Sequence, residues 1–563
     1  MSIDIETYRL KAQEAIEYVF VKEYHNSLGI PMPIVKMLLP DDANYSTGQY
    51  YITIDKTWQI HLNFGKLPIS YHEFQNEVKV LTRHEIEHYM CCPFDVITHF
   101  RMLKRIRDVY YKHFSHLGIN IEYACGAISN QAADIIVDTK NYYRHSKETL
   151  KSEIDWIKIG ANISACPRHC KLMFLTKEAI WKEDLGINET DPEFLKIVHQ
   201  LADSFTKNGI EDKSSFLDKV EEYAEIFFKL YVEDQKNPQQ SSQQGSQQQN
   251  GQQGSQQQSG QWGVGRPKDG DEHGNAFVFA DPDKVKEAIE VLAEETSVEE
   301  FIDLLAIAGI IGMSDKQKGV LWFNVQSANI IPIVEFSNTG NKSSYTYPSV
   351  WRIGDPIEEL DLMLTYMTSP RLIPGMTTKK WGYVSNDDNG TESKQMDLLL
   401  VVDTSGSMGS AMKESANMHQ AVLASYGILS YFESTKSKVA FIGFSDKIDA
   451  YVDWSDKYDD VRERLLTNGH GGTKFPISRI KSTLDVRSRD LVTVLITDGD
   501  LGNINESVSY FRDYLNDDNK LYIFLLGGSK SLHSYEPLKN IGAKIYNANN
   551  ANEFCDMVLT DME

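Results

Sequence analysis

Cysteine is scarce in this 563-residue chain and irregularly placed, at Cys91, Cys92, Cys125, Cys166, Cys170 and Cys555, so no disulfide framework is implied. Cys166-Pro-Arg-His169-Cys170 has no second ligand pair at a matching spacing, and its thiols read as loop thiols rather than a soft-metal site. Long apolar runs are missing too. No stretch approaches a membrane span, and the opening residues MSIDIETYRLKAQEAIEYVF lack the basic-then-apolar plan of a signal peptide, so a cytoplasmic protein without a membrane partner is expected. Positive charge is short: 57 Lys and Arg stand against 80 Asp and Glu, for a formal charge of -23. Without a basic stripe to displace counterions, nucleic acid is not the expected partner. The length exceeds what one ordinary core fills and points to several domains.

What the chain does hold is concentrated in two places. Residues 77–90, EVKVLTRHEIEHYM, read as a helix with Phe74, Val78, Leu81 and Tyr89 on one side, Glu85 and His88 among them and His84 at the margin. An imidazole and a carboxylate turned into a core are costly without partners, and a bound cation would satisfy them. His84 and His88 are one helical turn apart and can reach a single ion, as in HExxH zinc sites. There the two histidines are ligands and the intervening glutamate, here Glu85, takes a proton from the attacking water. A third ligand is expected from a later helix, residues 128–143, which carries Asn130, Asp134 and Asp138 along one face. Asp134 is the ligand in this reading, with Asp138 and Asn130 behind it, Asp138 fixing the tautomer of a ligand histidine. His99 is the rival, at a spacing from His88 that does not fit HExxHxxGxxH.

Around that helix the chain reads in order. Residues 1–27 are helical; residues 34–39, 49–54 and 59–64 are short strands, the last a candidate open edge for an extended peptide. Residues 148–234 are helical packing that closes the domain. Residues 239–261 are almost wholly Gln, Ser and Gly, which cannot build a core and read as a tether, the first place for a protease to cut, releasing two stable pieces. Residues 263–390 form a mixed connecting region: a helix at 283–306, mixed and strand-like segments at 309–347, a helix at 357–367 and a turn at Pro374-Gly375.

The second concentration is C-terminal. The runs MDLLLVV, KVAFIGF, LVTVLIT and LYIFLLG alternate with amphipathic segments such as residues 412–432, the βα alternation of a doubly wound, Rossmann-like parallel sheet. Ligands of such sheets bind at the carboxyl ends of the strands. There the polar residues gather: Asp403, Ser405 and Ser407 after the first run, Thr473 in a later loop, and Asp498 after LVTVLIT. A set of carboxylates and hydroxyls suits a hard divalent ion, Mg²⁺, with a position left for a partner's carboxylate.

These five residues resemble the metal-ion-dependent adhesion site (MIDAS) of a von Willebrand factor A (VWA) domain. The order of the chain, an HExxH domain, a flexible tract and a C-terminal VWA domain, further resembles bacterial metallopeptidases associated with MoxR-type AAA+ ATPases, with GDPIEELDLMLTYMTSPRLIPGMTT similar to their connecting region. The expected organisation is multidomain: an α+β zincin-like domain at 1–235, a linker at 236–262, the connecting region at 263–390 and the α/β VWA domain at 391–563. The resemblance implies a cytosolic zinc-dependent peptidase acting on a peptide or protein, whose VWA domain docks an ATPase or a target. Two alternatives stay open. One is a non-enzymatic VWA adaptor with a structural metal site in its first domain, and the other a peptidase latent until its ATPase acts.

Overall fold

In the computed structural model the described residues are 5–42, 45, 50–54, 59–64, 70–159, 163–236, 282–310, 313–330, 346–351, 379–383, 396–487, 490–499, 501–517, 519–527 and 533–548. The chain divides into two units, Met1–Met313, mostly helical, and Ser314–Glu563, built on an α/β sheet. The tether at 239–261, the helix at 357–367, the turn at Pro374-Gly375 and Cys555 lie outside the described residues.

The first unit starts with helix α1 (Ile5–Glu17), continued by a wider π-type turn at Tyr18–Glu23. A three-stranded sheet follows, of β1 (Ile34–Leu38), β2 (Tyr50–Ile54) and β3 (Gln59–Phe64) in the order β1-β3-β2. The edge position expected for residues 59–64 is therefore overturned. β3 lies in the middle, parallel to β1 on one side and antiparallel to β2 on the other. The reason is burial: Ile60 and Leu62 are fully buried in a core with Ala12, Ile16 and Val19 from the N-terminal segment and Phe74, Val78 and Ile86 from the next helix, and a strand covered this way belongs at the centre.

That next helix is α2 (Tyr71–Met90). Ser70 caps it, its side chain accepting from the Glu73 amide while Glu73 reaches back, and no Gly or Pro interrupts it for twenty residues. From Thr82 to His88 every residue is buried, so the single apolar face expected becomes two faces of different character. Phe74, Val78 and Ile86 face the sheet and α1, whereas His84 and His88 turn toward a polar group on a later helix.

Helix α3 (Val96–Val109), capped by Asp95, precedes α4 (Ile121–Ile159), which is kinked at His145. Buried ion pairs set the rotation of α2 against α4. The Glu87 carboxylate, fully enclosed, lies 2.8 Å from Lys140 Nζ and 3.0 Å from Arg144 Nη1, and accepts from Tyr24 Oη at 3.0 Å. Arg83 Nη2 lies 2.6 Å from Glu23 Oε1, and Nη1 pairs with Glu148 of α4. Of these pairs Glu87 with Lys140 is enclosed on both sides, and stranding one partner of a buried pair costs about 3–5 kcal/mol. Helices α5 (Arg168–Trp181), α6 (Pro192–Thr206) and α7 (Phe216–Lys236) complete the layer around α4. Two further helices of this unit, α8 (Pro282–Glu295) and α9 (Val298–Ile307), pack on α3; Arg107 Nη2 lies 2.7 Å from Asp303, and Arg101 pairs with Glu295.

In the second unit, residues 309–347, expected to be mixed, hold helix α10 (Asp315–Ile330) and then strand β4 (Thr346–Val350), which pairs antiparallel with β5 (Lys379–Tyr383). The four hydrophobic runs are the strands β6 (Asp397–Asp403), β7 (Val439–Phe444), β9 (Leu491–Thr497) and β10 (Lys520–Leu526). With β8 (Ile448–Ser455) and β11 (Lys544–Ala548) they form a six-stranded sheet ordered β11-β10-β9-β6-β7-β8, in which only the β7–β8 pair is antiparallel. β7 and β9 are buried along their whole length, which is why their sequence runs are continuous rather than alternating. From β6 the chain moves one way to β7 and β8; β9, β10 and β11 build the other way. The crevice at the carboxyl ends of β6 and β9 is thus the switch point of this sheet.

No helix among the described residues is long and apolar enough to cross a membrane.

Candidate metal centres

His84, His88 and Asp134 are brought together from α2 and α4, all three buried, with ligand atoms within 4.8 Å of one another; the group could hold a metal ion. The two Nε2 atoms are 3.1 Å apart, and Asp134 Oδ1 lies 3.5 Å from one and 3.3 Å from the other. Each imidazole is held from behind. The Cys92 carbonyl oxygen, 2.8 Å from His88 Nδ1, can only accept, so Nδ1 carries the hydrogen and Nε2 of the neutral ring presents its lone pair to the centre. Asp138 Oδ1 lies 2.6 Å from His84 Nδ1 and imposes the same tautomer there. Two such lone pairs facing each other at 3.1 Å repel unless a cation lies between them, either a proton or a metal ion.

The electrostatics agree. Burial alone would discharge His84, but Asp138 and Asp134 outweigh it and keep the imidazolium far more stable than usual in the absence of a metal. Burial likewise opposes ionisation of Asp138, yet Lys177 and His84 together hold its carboxyl below the ordinary range. Asp138 is thus an acceptor at neutral pH. Asn130 Nδ2 donates to Asp134 Oδ2 at 3.1 Å, leaving Oδ1 toward the histidines.

Glu85 follows His84 on α2 and is 7 % exposed; its carboxylate makes no hydrogen bond or ion pair among the described residues. His99 lies buried on α3 and is not one of the three grouped residues. Cys166 and Cys170 flank His169, which anchors the start of α5 to Asp234 at 2.8 Å; burial pushes the Cys170 thiol up to about 12, and among the described residues neither thiol joins a metal-binding group. Lys177 and Glu153, which back Asp138, carry no signal in the sequence, because nothing local marks a lysine whose partners lie on another helix.

At the sheet crevice, Asp403 ends β6 and is 0 % exposed. Its Oδ1 accepts from the Ser405 amide at 2.9 Å and its Oδ2 from Thr497 Oγ1, at the end of β9, at 2.6 Å. Ser405 Oγ lies 3.1 Å from Ser407 Oγ, which donates to Asp498 Oδ1 at 3.0 Å, and Asn417 Nδ2 holds Asp498 Oδ2 at 3.0 Å. Four of the five expected residues, Asp403, Ser405, Ser407 and Asp498, are therefore connected through hydrogen bonds. Thr473 is half-buried in the adjoining loop, with no hydrogen bond to those four among the described residues. Its loop is tied in by the backbone, the Gly406 amide donating to the Gly471 carbonyl at 3.3 Å. Gly471 has φ +113, where a side chain would be strained, and a Cβ there would meet the Asp446 carboxyl at 3.1 Å. Burial raises the Asp403 carboxyl above its ordinary range, the neighbouring Asp498 adding to it, against the hydrogen bonds from Thr497 and Ser405. Thr497 and Asn417 are further polar neighbours of this group, hydrogen-bonded to Asp403 and Asp498. Thr497 is legible as the last residue of LVTVLIT, whereas Asn417, at the start of a helix, carries no local signal.

No protein-family model matches the chain, and a search of curated proteins finds no match.

Proposed function

We propose that the chain is a zinc-dependent peptidase whose second unit is a VWA domain that docks a protein partner, a MoxR-type AAA+ ATPase or a target protein, through a magnesium-bearing MIDAS. The observation that supports the peptidase most strongly is the convergence of His84 Nε2, His88 Nε2 and Asp134 Oδ1, with both Nδ1 atoms committed elsewhere. Two nitrogens and a carboxylate oxygen suit zinc, and three protein ligands leave the open position of a catalytic rather than a closed structural site. When bound, zinc would supply Lewis acidity to the carbonyl of a peptide.

The protein's own part is carried by its residues. Asp138 and the Cys92 carbonyl orient the two imidazoles, and Asn130 orients Asp134. Glu85, next to His84 and free of other partners among the described residues, accepts the proton of the attacking water and delivers it to the leaving amine. In the second unit, Asp403, Ser405, Ser407, Thr473 and Asp498 would hold magnesium at the switch point of the sheet, where a partner's carboxylate can complete the set.

The deciding comparison is Glu85→Gln against His88→Ala. Glu85→Gln should keep zinc, measured by elemental analysis, while peptide cleavage in the presence of the ATPase falls by a factor on the order of 10²–10⁴. His88→Ala should lose both zinc and cleavage. A Glu85→Gln protein that matches wild type in every assay would leave the metal a structural role and favour the adaptor.

A further inference from the structure

Behind His84 runs a buried line of charge in which the peptidase reading gives Lys177 and Glu153 no part. Lys177, on α5, is 2 % exposed. Its Nζ lies 2.9 Å from Asp138 Oδ2 and 2.5 Å from Glu153 Oε1, both acids standing on α4. The other oxygen of Asp138 is the one 2.6 Å from His84 Nδ1. A single carboxylate therefore separates the Lys177 ammonium from the histidine.

Two features argue that this lysine does more than fill space. An enclosed ammonium is expensive, and an apolar side chain beside Phe174 and Trp181, whose rings Nζ approaches at 5.3 and 5.9 Å, would fill the same volume at lower cost. The charges also call for a further cation. Lys177 offsets one of the buried carboxylates Glu85, Asp134, Asp138 and Glu153, and a divalent ion would offset two more.

We propose that Lys177, itself steered by Glu153, is a positioning residue of the metal centre. It fixes the plane of the Asp138 carboxylate, so that Oδ1 stays on His84 Nδ1 and Nε2 stays aimed at the ion. The inference rests on the metal-centre reading and adds to it a dependence of metal binding on a residue of a third helix.

Lys171 supplies the control. It sits on the same helix, is 8 % exposed and pairs with Glu189 at 2.9 Å, with no contact to the histidine–aspartate group among the described residues. The experiment titrates full-length wild type, Lys177→Met, Lys171→Met and the double variant Lys177→Met/Glu153→Gln with Zn²⁺ against a chromophoric chelator, and records the visible spectrum of each with Co²⁺. Loss of an outer partner of a metal ligand weakens binding by about 10–100-fold, and Lys177→Met is expected near the lower end, about tenfold, with a shifted Co²⁺ spectrum. Lys171→Met should match wild type in both. The double variant strands no Glu153 charge, so it should fold where Lys177→Met does not and still show the loss. Wild-type affinity and spectrum in the Lys177 variants would overturn the inference, as would an equal loss in Lys171→Met. Wild type that takes up neither ion would instead overturn the metal-centre reading on which it rests.

Discussion

The acids around His84 favour a proton on its imidazole in the metal-free protein, and a metal ion would have to displace it. Burial works against its charge, but Asp138 and Asp134 outweigh burial and raise its pKa well above the ordinary imidazole value in the metal-free protein. Linkage fixes the sign of the effect on stability. A histidine whose folded-state pKa is raised contributes stability that is fully present below its unfolded pKa of about 6.5 and is lost as pH rises through the folded-state value. Metal-free protein should therefore lose this contribution as pH rises above about 6.5 and through the raised folded-state value, whereas zinc, which replaces the proton, should remove that dependence from the melting temperature. Zinc uptake at neutral pH should release protons, and zinc affinity should rise with pH. Calorimetry in buffers of different ionisation enthalpy reads the protons directly; a heat of binding independent of buffer would contradict the assignment.

At the scale of elements, the position of Asp403 is set by two neighbouring strands. It ends β6 where β9 ends beside it, and Thr497 of β9 clamps one oxygen while the Ser405 amide of the following loop holds the other, so sheet and loop together fix the carboxylate. Asp403→Ala and Thr473→Ala are expected to weaken capture of the partner in a pull-down, and EDTA to weaken it in wild type, with circular dichroism of the first unit unchanged. Capture indifferent to chelation and to both substitutions would remove the docking role. The same scale corrects the peptide edge. With β3 paired on both sides, an added strand cannot lie on it, and among the described residues the open edges of this sheet belong to β1 and β2.

For the whole molecule, the composition of residues 239–261 still predicts the first proteolytic cut. The structure alters the outcome of that cut. α8 and α9 stand beyond the tract in the sequence yet belong to the first unit, with Phe301, Leu304 and Leu305 fully buried and Arg107 paired to Glu300 and Asp303. In place of the two separate pieces read from the sequence, we therefore expect a nicked chain that holds together. Limited proteolysis should yield two bands on a denaturing gel and one peak on size exclusion. Two peaks would mean that this packing does not survive cleavage.

By itself the sequence determined what is local. One-turn spacing put His84 and His88 on one helix side, whereas the start of that helix at Tyr71, capped by Ser70 and Glu73, came only from the structure. The buried strands were legible because both faces of a central parallel strand are covered, so that β6, β7, β9 and β10 are apolar almost without a break. Only the tertiary structure decided what those elements meet. Asp138 reaches His84 from 54 residues away, and Lys177 reaches Asp138 from a further 39. The same holds for β3, QIHLNF, whose alternation of polar and apolar residues fits an edge or a central strand equally well. Helical and strand periodicities describe which way a residue faces its own element's core; which element lies opposite is set by the burial of whole faces and the pairing of enclosed charges, as with Glu87 against Lys140, and contacts so distant along the chain leave no periodic trace in it.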